Sequence, residues 1–101
     1  MNNDEAAQGF SAMGSGSRLD VLKTLVRAGD PGLTVSVIQR RTGIPASTLT
    51  HHLKILATAG LIDQQRNGRT ITVQANYDHL QSLAGFILAE CCVEQEGTTD
   101  E

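Results

Sequence analysis

At 101 residues the chain has room for one small domain and none for a separate catalytic or ligand-binding module, so any sensing has to be built into the same fold. It is acidic overall, with 8 basic and 11 acidic side chains for a net charge of −3, a balance that taken alone argues against a polyanionic partner. Met1 to Glu5 are polar with no apolar run behind them, and no stretch approaches membrane-spanning length. Neither a secretion signal nor a membrane partner is therefore expected, and the protein is read as cytoplasmic.

In chain order, residues 1–5 are expected to be disordered, 6–94 to form the folded domain and 95–101 to be a disordered acidic tail. A short helix is predicted around Ala6 to Met13. Gly14-Ser15-Gly16-Ser17 links it to a second, from about Arg18 to Ala28, with Leu19, Leu22, Leu25 and Val26 as its core stripe. Gly29-Asp30-Pro31-Gly32 ends that helix. Thr34 can cap a third helix through Val35, Val37, Ile38 and Arg41, and Thr42-Gly43-Ile44-Pro45 supplies a turn that keeps the next element from fusing with it. In the fourth helix Leu49, Leu53 and Leu56 recur at i, i+4 and i+7, so one face is apolar while Ser47, Thr48, Thr50, His51 and Lys54 project elsewhere. This is helix, turn, helix. Leu61 to Arg66 and Thr70 to Gln74 alternate like strands, and Asn67-Gly68 is a preferred pair for a two-residue hairpin turn because both tolerate positive φ. A last helix is predicted from about Tyr77 to Glu94, with Leu80, Leu83, Ala84, Ile87, Leu88 and Cys91 along one stripe.

The architecture expected is mainly α with a small β-hairpin, in the order α-α-α-α-β-β-α: a winged helix-turn-helix. Charge is distributed to match. All eight basic residues fall between 18 and 69 beside three acids, a net +5, and the acidic balance sits at the two ends. The positive segment is the one holding the helix-turn-helix and wing. A helix carrying hydroxyls, an imidazole and one ammonium suits the major groove of duplex DNA, and Arg66 and Arg69 beside the hairpin turn are placed to reach phosphates or an adjacent minor groove. The last helix has a longer apolar stripe than one small core can cover, so it is expected to pair, with the N-terminal helix, in a two-fold homodimer whose two reading helices address half-sites about one turn apart. No nucleophile elbow, phosphate-binding glycine loop or paired acid-base constellation is present, so enzymatic activity is not expected. A winged-helix module that contacts only protein remains the alternative to a DNA-binding one.

The order of these helices, Met13 to Leu22, Ser47-Thr48-Leu49-Thr50-His51-His52-Leu53-Lys54-Ile55-Leu56 and Ala59-Gly60-Leu61-Ile62 resemble the ArsR/SmtB family of winged-helix repressors over about residues 6 to 94. The resemblance implies a homodimer that sits on double-stranded operator DNA and lets go when an inducer binds. At matching positions Ala46, Ser47, Thr48, Thr50 and His51 would face bases or phosphates, with Lys54 as a backbone contact.

The inducer has to be argued from the side chains available. The arsenic-sensing Cys-Val-Cys-type segment of the resembled family corresponds here to Thr34-Val35-Ser36, which has no thiol, and the zinc-type pattern on its last helix is represented only by Asp78-His79 with no later histidine. Cys91 and Cys92 are the only thiols. In a cytoplasmic protein the pair is expected to be reduced, and an intrachain bridge is not expected because neighbouring Cα atoms lie about 3.8 Å apart, short of the ~4.4–6.8 Å that disulfides usually span. Two reduced thiols suit a soft centre. Trivalent arsenic leads: a methylated or aryl arsenical has two exchangeable positions for two cysteines, while antimonite, or arsenite with a non-thiol third ligand, is also compatible. Some repressors of the resembled family use a C-terminal cysteine pair for arsenicals. Successive helical residues point about 100° apart, so one atom joins both sulfurs only if the helix end loosens or the bridge runs between subunits. Thiol oxidation or persulfide sensing, and a purely structural role, remain the other readings of the pair. No obligatory cofactor is expected.

Overall fold

The structure is a computed structural model and describes residues 1–95. The first helix, α1 (Asn3–Met13), begins inside the segment expected to be disordered, because Asn2 closes a reciprocal cap: its side chain accepts from the Glu5 N–H at 2.8 Å while Glu5 Oε1 accepts from the Asn2 N–H at 3.1 Å. Two orphan N–H groups are satisfied at once, which anchors a polar start that its composition alone does not reveal. Residue 95 ends the described segment in helical geometry, and the rest of the expected acidic tail, 96–101, lies outside the described residues.

The second helix, α2 (Gly16–Ala28), takes Ser15 as its N-cap and ends at Gly29, φ 70°. Its buried face is Val21, Leu22 and Leu25, whereas Leu19 and Val26, both assigned to the core from sequence, are 42 % and 44 % exposed. The stripe is rotated because half-buried Arg18 lies on the buried side and donates through Nε to the Ala12 carbonyl at the end of α1. An arginine stem thus serves where an apolar side chain was expected.

A two-residue strand, β1 (Leu33–Thr34), follows and was not anticipated; it exists by pairing with Val73 and Thr72 rather than by any local pattern. Thr34 then caps α3 (Val35–Thr42), accepting from the Val37 N–H, and Gly43 closes that helix in the left-handed region at φ 73°. Next comes α4 (Ala46–Thr58), its Leu49, Leu53 and Leu56 buried as the spacing predicts. Strands β2 (Ile62–Asn67) and β3 (Thr70–Ala75) pair antiparallel, completing a sheet of order β1-β3-β2.

The hairpin turn is displaced by one residue from the expected one. Asn67 pairs with Thr70, so Gly68 and Arg69 form the loop, and only Gly68 has positive φ (63°). Placing glycine at the first central position spares Asn67 a left-handed conformation. It also lifts Arg69 to the tip of the wing.

The last helix, α5 (Tyr77–Leu88), is capped by Asn76, which accepts from the His79 N–H at 3.1 Å. It docks Leu83 into the core and packs against α1 at Gly9, where a Cβ would stand 2.8 Å from a Leu83 methyl. It stops six residues short of the expected Glu94. Beyond it, short i to i+3 turns (Cys91 N–H to Leu88 O, Val93 N–H to Glu90 O) replace the helix, and Ile87, Leu88 and Val93 are 65 %, 61 % and 63 % exposed. With no core beneath them, these residues give the last turns of helix no packing to hold them.

Candidate nucleic-acid interface and thiol pair

Gly43 and Pro45 set the angle between α3 and α4, and the buried leucine face of α4 fixes its rotation, so the opposite face is committed to solvent. Ala46, Ser47, Thr48, Thr50, His51 and Lys54 are all exposed there, as are Arg66 and Arg69 on the wing. Pro45 precedes α4 without a side-chain cap, leaving first-turn N–H groups available beside Ser47 and Thr48. Thr50 donates its hydroxyl to the Ala46 carbonyl at 3.0 Å, so what it offers outward is an acceptor oxygen and a methyl group.

One groove of about 590 Å³ runs between α3, α4 and the hairpin and gathers Thr50, Lys54 and Arg69. Arg66 is exposed on β2 outside it, and His51 lies on the other flank of α4, toward α1, with Lys54 bordering both sides. Sequence reasoning did not place Thr34, Ser36, Gln39, Gln64 and Thr70 at the interface, yet they also line this groove. Only the proximity of α3 to the wing reveals them, and that proximity comes from β1 pairing with β3. Among the described residues no carboxylate pairs with any of the eight basic side chains. The positive field of the segment is therefore not neutralised locally.

His52, next to His51, faces inward; its Nδ1 is buried without a hydrogen-bond partner, and burial, then the Arg18 guanidinium, then His51 hold its pKa below the ordinary histidine value. On the last helix His79 Nε2 is likewise buried and unpartnered, against Gly60. No group of three or more His, Cys, Asp or Glu side chains that could hold a metal ion occurs among the described residues.

Cys91 and Cys92 are exposed, and their sulfurs lie 3.1 Å apart. Two helical neighbours would diverge; these converge because the helix has already ended and Cys92 adopts φ 65°, the positive-φ non-glycine residue of the described chain. The helix end is thus loosened at the pair, and both sulfurs stand side by side. The Cys91 thiol, hydrogen-bonded to it, and to a lesser extent burial push the Cys92 thiol pKa up.

A reading helix set by a tight turn, with a hairpin whose tip cation shares its groove, defines the winged helix-turn-helix class of DNA-binding transcriptional regulators. Residues 13–65 match the helix-turn-helix domain family. The HTH-type transcriptional regulator YgaV of Escherichia coli is 37 % identical over 89 residues, covering 88 % of each chain. Among solved structures, an ArsR-like transcriptional regulator from Rhodococcus superposes with a TM-score of 0.76 at 24 % identity, over 94 % of this chain and 86 % of that one. The homodimeric winged helix-turn-helix DNA-binding domain of a possible ArsR-family regulator from Mycobacterium bovis gives 0.70 at 24 %, over 91 % and 84 %. The chain belongs to the helix-turn-helix transcriptional regulators, and its fold is the winged-helix fold of those ArsR-type structures. No helix among the described residues is long and apolar enough to cross a membrane.

Proposed function

We propose that the protein is a homodimeric, cytoplasmic repressor that grips operator DNA through α4 and the wing and releases it when a trivalent arsenical, preferably a methylated or aryl one, binds Cys91 and Cys92. The observation that carries the DNA half is the groove joining Thr50 and Lys54 of α4 to Arg69 at the wing tip, its cations unpaired by acids among the described residues. Lys54, Arg66 and Arg69 would hold phosphates, while Ala46, Ser47, Thr48, Thr50 and His51 would meet base edges or the adjacent backbone. Dimerisation through α1 and α5 is supported by the exposed Ile87, Leu88 and Val93, which need a cover. The Mycobacterium bovis relative assembles as a homodimer.

The sulfur half is supported by the convergence of the two thiols in one chain. Each thiol displaces one hydroxide of the arsenical as water, forming two As–S bonds while arsenic stays trivalent and keeps its carbon substituent. With no third donor clustered at hand among the described residues, a ligand with two exchangeable positions fits better than inorganic arsenite or antimonite. Because the pair stands beside Leu88 and Val93, closing the chelate repositions the apolar segment that spans the dimer. A coupling of ~1–3 kcal/mol there weakens operator binding about 5- to 150-fold.

The test uses a duplex selected by the protein from a randomised pool. Gel shift should weaken steeply with salt, and methylarsenite should release the complex at lower concentration than arsenite. Release unchanged in both Cys91→Ser and Cys92→Ser would refute the sensor assignment, and absence of any salt-dependent shift would refute the DNA assignment.

A further inference from the structure

A second groove, of about 970 Å³, lies between α1 and α4 and plays no part in the arsenical reading. Its floor and walls include small or apolar side chains: Ala7 and Ala12 from α1, Ile55 from α4 and Ala59 at the C-cap of α4. Its polar rim carries two cations, Arg18 and Lys54, and one carboxylate, Asp4, among the neutral Gln8, Ser11 and Thr58 and the imidazole of His51. The Arg18 guanidinium is held in place by its Nε bond to the Ala12 carbonyl, and no acid among the described residues pairs with it. An apolar floor beside a fixed cation that no acid among the described residues pairs with supplies the elements of an organic-anion site. A DNA phosphate would use the cations and leave the apolar floor idle.

We propose that this groove binds a small amphipathic carboxylate, its head on Arg18 and Lys54 with His51 donating, its hydrocarbon body along Ala7, Ile55 and Ala59. The side of α1 concerned (Asp4, Ala7, Gln8, Ser11) is separate from the side that places Gly9 on Leu83 of α5 within the same chain. Because Lys54 and His51 belong also to the reading helix, a carboxylate seated here competes with DNA. That consequence rests on the DNA reading; the binding itself does not.

Decanoate and decylamine are the probes, titrated into the isotope-labelled full chain without DNA and followed by amide NMR shifts. Saturable shifts confined to α1 and α4 with decanoate, and none with decylamine, are expected. Arg18→Gln, which keeps a donor for Ala12 but removes the charge, should weaken binding about 10-fold or more. Ala7→Glu, at an exposed helical position, should abolish it. Equal response to both probes, shifts mapping instead to Ile87, Leu88 and Val93, or full affinity in Ala7→Glu would overturn the proposal. Decanoate binding without displacement of DNA would leave the site standing and refute only the competition.

Discussion

Gly32 and Gly68 both have positive φ, yet the surroundings of the two differ enough to separate backbone strain from steric exclusion. At Gly68 a Cβ would meet open space, so Gly68→Ala pays only the left-handed penalty of about 1–2 kcal/mol. At Gly32, φ 92°, the same atom would stand 2.3 Å from the Val73 carbonyl oxygen, inside the strand that β1 pairs with. Gly32→Ala should therefore cost about 3 kcal/mol or more in urea unfolding, because neither backbone can yield without breaking the short β1 ladder. Equal losses at the two sites would contradict this placement. His52 offers a second single-residue test. Its lowered pKa means the native state holds the imidazole neutral, so as pH falls below about 6.5 the unfolded chain takes up the proton first. Stability from this group is full above that value and is lost as pH drops through the depressed native pKa. The fall in urea midpoint between about pH 7.5 and about pH 5 should accordingly be larger for the wild type than for His52→Gln.

At the scale of elements, the helix-turn-helix and the hairpin were the most legible, because each is defined by local chemistry: Thr34 as a cap, Gly43 as a left-handed stop, the Leu49, Leu53, Leu56 spacing and the glycine of the hairpin. The same chemistry leads to an expectation for the wing. Arg69 at its tip and Lys54 on α4 border one groove from two elements, so each should hold its own phosphate. Arg69→Ala and Lys54→Ala should each reduce the slope of log affinity against log salt by about 1, and the double variant by about 2. A slope unchanged by Arg69→Ala would remove the wing from the interface. What sequence could not supply was anything decided by a distant partner. The strand β1 has two residues and exists only against β3. The rotation of α2 depends on the Arg18 bond to α1, which no periodicity records. The start of α1 turns on one reciprocal cap, and the end of α5 on where the core runs out, so a stripe that reads as continuous to Cys91 is packed only as far as Leu83 and Phe86.

For the whole molecule the governing fact is an imbalance between the two ends of α5. Its first half buries Leu83 and rests on α1, while Ile87 and Leu88, followed by Val93, stand in solvent on a chain with too little core to cover them. Two copies meeting through this surface would bury both sets at once and set the distance between their reading helices. Since Ile87 and Leu88 are exposed in the single chain, replacing both by glutamate should change the stability of the monomer by no more than about 0.5 kcal/mol per site. Like charges and lost apolar contact should nevertheless prevent association, giving a monomer in light scattering where the wild type is expected to be a dimer. Operator affinity should then fall about 100-fold or more, because the second half-site is no longer bound intramolecularly, while affinity for an isolated half-site stays near that of one wild-type subunit. A variant that remains dimeric, or a monomer that keeps full operator affinity, would show that α5 does not set the spacing, and the route from the Cys91 and Cys92 pair to the DNA would have to be sought elsewhere in the fold.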